Sequence, residues 1–96
     1  MVKKTKAVTV RRRVTFEIEA NIGSKVAIAG CFNEWDDSKK MLTDKDGNGV
    51  FKCTMILAPG SYEYKFVVDG AWTLDPNNPN FIPNNHGTLN SLLKVG

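Results

Sequence analysis

Ninety-six residues, 42% of them hydrophobic and 24% charged, are enough for one globular domain with a modest core. They are too few for a typical multi-part enzyme, and no apolar run approaches the 18 residues that suggest a membrane-spanning helix. The formal charge is +3, but Lys3, Lys4, Lys6, Arg11, Arg12 and Arg13 place six of the thirteen basic residues in the first thirteen positions. From Val14 onward seven basic residues face ten acidic ones. The expected organisation is a basic, solvated and flexible arm over 1–13 and a mildly acidic domain over 14–96. Met1-Val2-Lys3-Lys4 starts like a secretory signal, yet no apolar stretch follows it, so a cytoplasmic location is expected. Cys31 and Cys53 are then expected to be reduced and structural.

Period-two alternation dominates the chain. Apolar residues take every second position in Arg13-Val14-Thr15-Phe16-Glu17-Ile18-Glu19-Ala20, which predicts a half-buried strand. Ser24 to Cys31 reads as a second strand with Val26 and Ile28 on one face. Phe51, Cys53, Met55 and Leu57 mark a third. Tyr62, Tyr64, Phe66 and Val68 mark a fourth, and the shorter runs Ala71 to Leu74 and Leu89 to Val95 complete the set. Turn chemistry separates them: Asn21-Ile22-Gly23, Asp46-Gly47-Asn48-Gly49, Ala58-Pro59-Gly60-Ser61 and Asp69-Gly70. Residues 75–88, with Pro76, Pro79 and Pro83, are expected to form a loop without an element of its own. No segment shows helical periodicity. The pattern predicts an all-β, antiparallel sandwich.

Catalysis finds little support. The single histidine, His86, lies in the Asn-rich loop with no nucleophile motif beside it, and a small sandwich rarely offers a cleft between paired carboxylates. No cofactor or metal site is expected. Asp44-Lys45-Asp46-Gly47-Asn48-Gly49 resembles the first half of a calcium loop, but the position needing a bidentate Glu is Met55, so a hairpin turn is the expected reading.

Binding finds more. Trp35 ends the run Gly30-Cys31-Phe32-Asn33-Glu34-Trp35, and Trp72 stands two residues beyond Asp69-Gly70; both sit outside the long strands, ringed by Asn, Asp, Lys and Thr. A flat, rigid aromatic in such a setting suits a sugar ring, a base or a partner's side chain. Lys65 breaks the apolar run Tyr62 to Val68 on the face opposite Tyr64 and Phe66. It would approach Trp72 if Ala71 to Leu74 folds back. Thr88 and Asn90 add neutral hydrogen-bonding groups, which suit hydroxyls better than phosphates.

These residues resemble a known family. Gly30-Cys31-Phe32-Asn33-Glu34-Trp35, then Tyr62-Glu63-Tyr64-Lys65-Phe66-Val67-Val68-Asp69-Gly70-Ala71-Trp72-Thr73-Leu74-Asp75-Pro76, then Gly87-Thr88-Leu89-Asn90-Ser91 are similar to the family 48 carbohydrate-binding modules. That family includes the glycogen-binding domain of AMP-activated protein kinase β subunits and the N-terminal modules of isoamylases and branching enzymes. The resemblance implies an immunoglobulin-like β-sandwich that binds α-glucans such as glycogen, starch and maltooligosaccharides without catalysis. It implies that Trp35 and Trp72 stack on glucose rings, that Lys65 and Asn90 hydrogen-bond hydroxyls, and that Thr88 lines the same groove. His86 stands where the kinase domains carry an aliphatic side chain, and it too can stack or donate. Two other roles remain open: a protein-interaction or regulatory module serving a glycogen- or starch-metabolising enzyme or kinase complex, and nucleic-acid binding through the basic arm. The acidic body argues against the last. No membrane partner is expected.

Overall fold

A computed structural model describes residues 10–96; residues 1–9 of the basic arm lie outside the described residues. Eight strands follow in chain order: β1 (Arg12–Glu19), β2 (Val26–Gly30), β3 (Met41–Leu42), β4 (Val50–Leu57), β5 (Gly60–Val68), β6 (Ala71–Thr73), β7 (Phe81–Pro83) and β8 (Leu89–Val95). No helix occurs among the described residues. Strands β1 and β4 pair as one small sheet, while β3-β2-β5-β8-β7, with β6 against β5, form the other. A bridge between Thr43 and Lys52 links the two sheets where the chain leaves β3. All pairings are antiparallel, as the alternation predicted.

The core fills the space between the sheets. Phe16 and Ile18 from β1, Phe51 and Leu57 from β4, Val26 and Ile28 from β2, and Tyr64 and Phe66 from β5 are all buried in one cluster. Their spacing by two is what puts them on one face of each strand. Phe16 meets Tyr64 edge-on at 5.1 Å between ring centroids, and Tyr64 meets Phe66 at 5.8 Å. Phe32, from the loop after β2, joins through Phe16 at 5.9 Å and Tyr62 at 6.2 Å. Cys53 is a free, half-buried thiol in this region, and burial pushes its pKa up, away from reactivity. Cys31 is also free and is exposed.

Strand β5 organises the larger sheet. One edge pairs with β2 from Tyr64 to Val68. The other edge is divided: β8 takes Gly60 to Tyr64, and β6 takes Phe66 to Val68. Lys65 stands at the division. Asp69 (φ 50°) and Gly70 (φ 86°) form the two-residue connection from β5 to β6, with the positive φ at both positions that a type I′ turn requires. The amide of Asp69 donates to the Lys25 carbonyl, and its carboxylate accepts from the Lys25 amide, both at 2.8 Å, which extends the β2 ladder.

The Asn- and Pro-rich segment departs from the expectation of a loop without an element of its own. Phe81–Pro83 forms β7 against β8, with Ile82 opposite Asn90. Pro83 is tolerated because it ends an edge strand, where a missing donor breaks no inner ladder. Asp44 occupies both its carboxylate oxygens with the amides of Asn48 and Gly49, at 3.0 and 2.8 Å, so those residues make a turn. Ahead of β7, the segment is tied down by a buried polar cluster. The Tyr64 hydroxyl donates to Asp75 at 2.5 Å, the Asp75 backbone amide donates to the Ser91 hydroxyl at 2.9 Å, and the Asn78 side-chain nitrogen donates to the Tyr64 hydroxyl and the Leu92 carbonyl. Burial, reinforced by the Asp75 hydrogen bond, pushes the Tyr64 phenol well above its ordinary value.

Two predictions follow from packing and proton linkage. A Cβ at Gly30 would lie 2.6 Å from the Glu63 carbonyl and 2.9 Å from the Tyr64 Cβ. Gly30→Ala should therefore lower the urea midpoint, equivalent to about 2–3 kcal/mol, with little change in the slope. The raised Tyr64 pKa gives stability that is intact below the unfolded value of about 10 and is lost as pH rises above it. The unfolding midpoint should therefore drop on going from pH ~9 to pH ~11, and drop less steeply in Tyr64→Phe.

Candidate functional site

The outward face of the larger sheet carries an unusual pair of small residues. On β2, Ala27 and Ala29 are buried although they point away from the core, because Val67 and the Trp35 indole cover them. Larger side chains there would lift the indole away. The turn that delivers Trp35 is braced at its base. The Asn33 side chain accepts from the Gly30 amide and donates to the Ile28 carbonyl, each at 2.9 Å, while the Trp35 amide donates to the Gly30 carbonyl at 2.9 Å. Glu34 and Trp35 both hold positive φ, at 61° and 57°. That conformation is costly for an aromatic residue and persists only where neighbours impose it. The following turn is closed by Ser38, whose hydroxyl and amide hold the Asp36 carboxyl below its ordinary value.

Trp72 arrives by another route. It pairs with Val67 across the β5–β6 hairpin and so shares that outward face, with 48% of its surface exposed. Lys65, two residues before Val67, also faces outward. The two indoles, from separate segments, border one open groove of about 670 Å³. Lys65, His86, Thr88 and Asn90 border it as well, so all six residues singled out in the sequence converge there. Pro83, Asn84, Asn85 and Glu63 complete the lining.

One of those additional residues, Asn84, organises the loop between β7 and β8. Its side-chain oxygen accepts from the amides of His86 and Thr88, at 2.9 and 3.1 Å. Its side-chain nitrogen donates to the Thr88 hydroxyl at 2.7 Å and to the Asn90 side-chain oxygen at 2.9 Å. Lys65 donates to the same Thr88 hydroxyl at 3.1 Å. Asn90, only 7% exposed, donates in turn to Glu63 at 3.0 Å. Asn90 is thus engaged on both sides, whereas Thr88, Lys65 and His86 are more open. The sequence signal for Asn84 is faint: a turn-forming Asn three residues before Gly87, in a stretch crowded with Asn. Among the described residues no group of three or more His, Cys, Asp or Glu could hold a metal ion.

The groove can therefore present two apolar faces, one cation, one carboxylate and several neutral hydrogen-bonding groups. Residues 13–96 match the family described as the glycogen recognition site of AMP-activated protein kinase. The chain is 44% identical over 75 residues to Protein PTST homolog 2, chloroplastic, of Arabidopsis thaliana, covering 78% of this chain and 13% of that protein. It is 36% identical over 83 residues to Protein FLOURY ENDOSPERM 6, chloroplastic, of Oryza sativa subsp. japonica, covering 86% and 15%. It is 40% identical over 73 residues to 5'-AMP-activated protein kinase subunit beta-1 of Sus scrofa, covering 76% and 56%. The chain thus spans less than two thirds of each relative's length.

Asn84→Ala should remove four hydrogen bonds and release the loop. Amide exchange at His86 and Thr88 should accelerate by about tenfold or more, with a stability loss of about 1–3 kcal/mol. Unchanged exchange at both amides would contradict the bracing role.

Proposed function

The chain belongs to the glycogen-recognition family of carbohydrate-binding modules, a binding and not a catalytic role, and from that premise we propose that its groove binds neutral α-glucans by stacking glucose rings on Trp35 and Trp72. The observation that carries this reading is the convergence of two indoles, from separate segments, on a groove otherwise lined by hydrogen-bonding groups. Pyranose rings present an apolar face flanked by equatorial hydroxyls, and such a surface matches them. Lys65 and Thr88 donate to ring hydroxyls. His86 closes one side of the groove, and Asn90 supports it from beneath. Glycogen, starch and maltooligosaccharides are the ligands proposed, with a glycogen- or starch-handling enzyme as the larger setting.

The affinity should be modest. If each indole loses roughly 100 Å² of apolar surface to a sugar, about 25 cal/mol/Å² gives ~2.5 kcal/mol per platform. Hydrogen bonds from Lys65 and Thr88 add about 1 kcal/mol each, and ordering and association take part of the total back. A dissociation constant between roughly 10 µM and 1 mM results.

Titration of tryptophan fluorescence with maltoheptaose should give a saturable change. Trp72→Ala should weaken it by about tenfold or more while leaving the unfolding midpoint nearly unchanged, since half of that side chain is already in water. Trp35→Ala should weaken binding and also cost stability, because it uncovers Ala27, Ala29 and Val67. A flat wild-type response up to ~10 mM, far above the expected range, would sink the glucan reading in favour of a protein-interaction module.

A further inference from the structure

The hydrogen bonds around the groove fix which atoms can still accept and which can only donate. At one end, the Glu63 carboxylate accepts from Asn90, so the Asn90 nitrogen must face Glu63 and its oxygen must face Asn84. At the other end, the amides of His86 and Thr88 require an acceptor, so the Asn84 oxygen faces them and its nitrogen faces Asn90 and Thr88. Both ends impose the same orientation on the row. Thr88 receives hydrogen bonds from both Asn84 and Lys65, at 2.7 and 3.1 Å, which fills the acceptor capacity of its hydroxyl. What Thr88 still offers is its own O–H, and Lys65 offers only N–H groups. Thr88 and Lys65 thus offer the groove donors only.

Glu63 supplies a charged acceptor beside them. It lies two residues before Lys65 on the same outward face of β5, about 6.6 Å away along the strand. Its backbone is fixed to the loop that leads to Trp35: the Cys31 amide donates to the Glu63 carbonyl at 3.0 Å, and the Glu63 amide approaches the Cys31 sulfur at 3.4 Å. Only Oε1 is engaged by Asn90, and Glu63 forms no ion pair among the described residues. Glu63 lines a groove with no other carboxylate, and its second oxygen makes no side-chain hydrogen bond among the described residues.

We infer that Glu63 is a ligand-contacting residue, accepting a hydrogen bond from one sugar hydroxyl while Thr88 and Lys65 donate to a neighbouring oxygen. The inference rests on the glucan reading above and adds a consequence to it. The groove reads a pair of adjacent hydroxyls with opposite hydrogen-bond polarity. Its carboxylate also offsets Lys65 and so lowers the groove's affinity for anionic glucans relative to cationic ones.

The test compares Glu63→Gln with wild type on three ligands: β-cyclodextrin, its 6-amino-6-deoxy derivative, and a derivative with one carboxylate on the O6 rim. The Gln carbonyl can still accept from Asn90, so the unfolding midpoint should hold and the loop should stay in place. Neutral β-cyclodextrin should bind the variant about three- to tenfold more weakly, from loss of a charge-assisted hydrogen bond. Relative to wild type, the variant should shift its preference by about threefold or more away from the amino and toward the carboxylate ligand. A purely structural role for Glu63 would leave the charge preference untouched. Equal affinity for the neutral ligand and an unchanged preference in Glu63→Gln would overturn the inference while leaving the glucan reading standing. Failure of wild type to bind any of the three would remove both.

Discussion

The hydrogen-bond ladder of β5 is the constraint on which the site depends. One edge belongs to β2, and the other is shared end to end by β8 and β6. A strand flanked this way cannot slip by one residue without turning Tyr64 and Phe66 out of the core. With that register locked, Glu63, Lys65 and Val67 must face outward, and Trp72 must follow Val67. The division of the edge at Lys65 brings the start of β8 and the β5–β6 hairpin to the same place. The buried Tyr64–Asp75–Ser91 cluster then holds the chain that leaves β6 against the sheet, so that β7 can return beside β8. The groove is a consequence of how one strand's two edges are allotted.

The two indoles are held by different means. Trp35 rests on Ala27, Ala29 and Val67 in a turn whose positive φ is enforced by Asn33 and by the Gly30 carbonyl. Its orientation is settled before any ligand arrives, and little conformational entropy remains to be lost. Trp72 stands on a three-residue strand beside a two-residue turn, with about half its surface in water. It can adjust its ring angle at low cost. A rigid platform paired with an adaptable one fits a flexible polymer whose ring-to-ring geometry varies along the chain.

The alternation of β1, β4 and β5 made the sandwich legible, because these strands turn most of their large apolar side chains to one face and the period of two survives in the residues. The family motifs carried Trp35, Lys65, Trp72, His86, Thr88 and Asn90 to one groove. Other features left weaker traces. Strand β3 has two residues, too short for any period. Strand β7 hides among prolines, and an edge strand needs no amphipathic pattern to pair. In β2, Ala27 and Ala29 read as ordinary outward positions, since their small size acquires meaning only with Trp35 above them. Asn84 acts through side-chain bonds to a loop whose path depends on β7, and Glu63 acts beside a strand more than twenty residues distant.

That last dependence bears on how recognition is built. Asn90 is nearly buried and has both ends of its amide engaged. A residue so placed contributes chiefly by tying its neighbours together: it accepts from Asn84 and donates to Glu63. The polarity of the groove then follows from two anchors that cannot reverse, a carboxylate at one end and backbone amides at the other. In the proposed glucan complex, stacking on the indoles would supply most of the attraction but discriminate poorly, because any flat apolar face can stack. Discrimination falls to the row of polar groups, where a misplaced donor leaves a partner unsatisfied, and that costs more than a correct bond contributes. On the proposed reading, affinity and selectivity are thus assigned to separate sets of residues on the same sheet face.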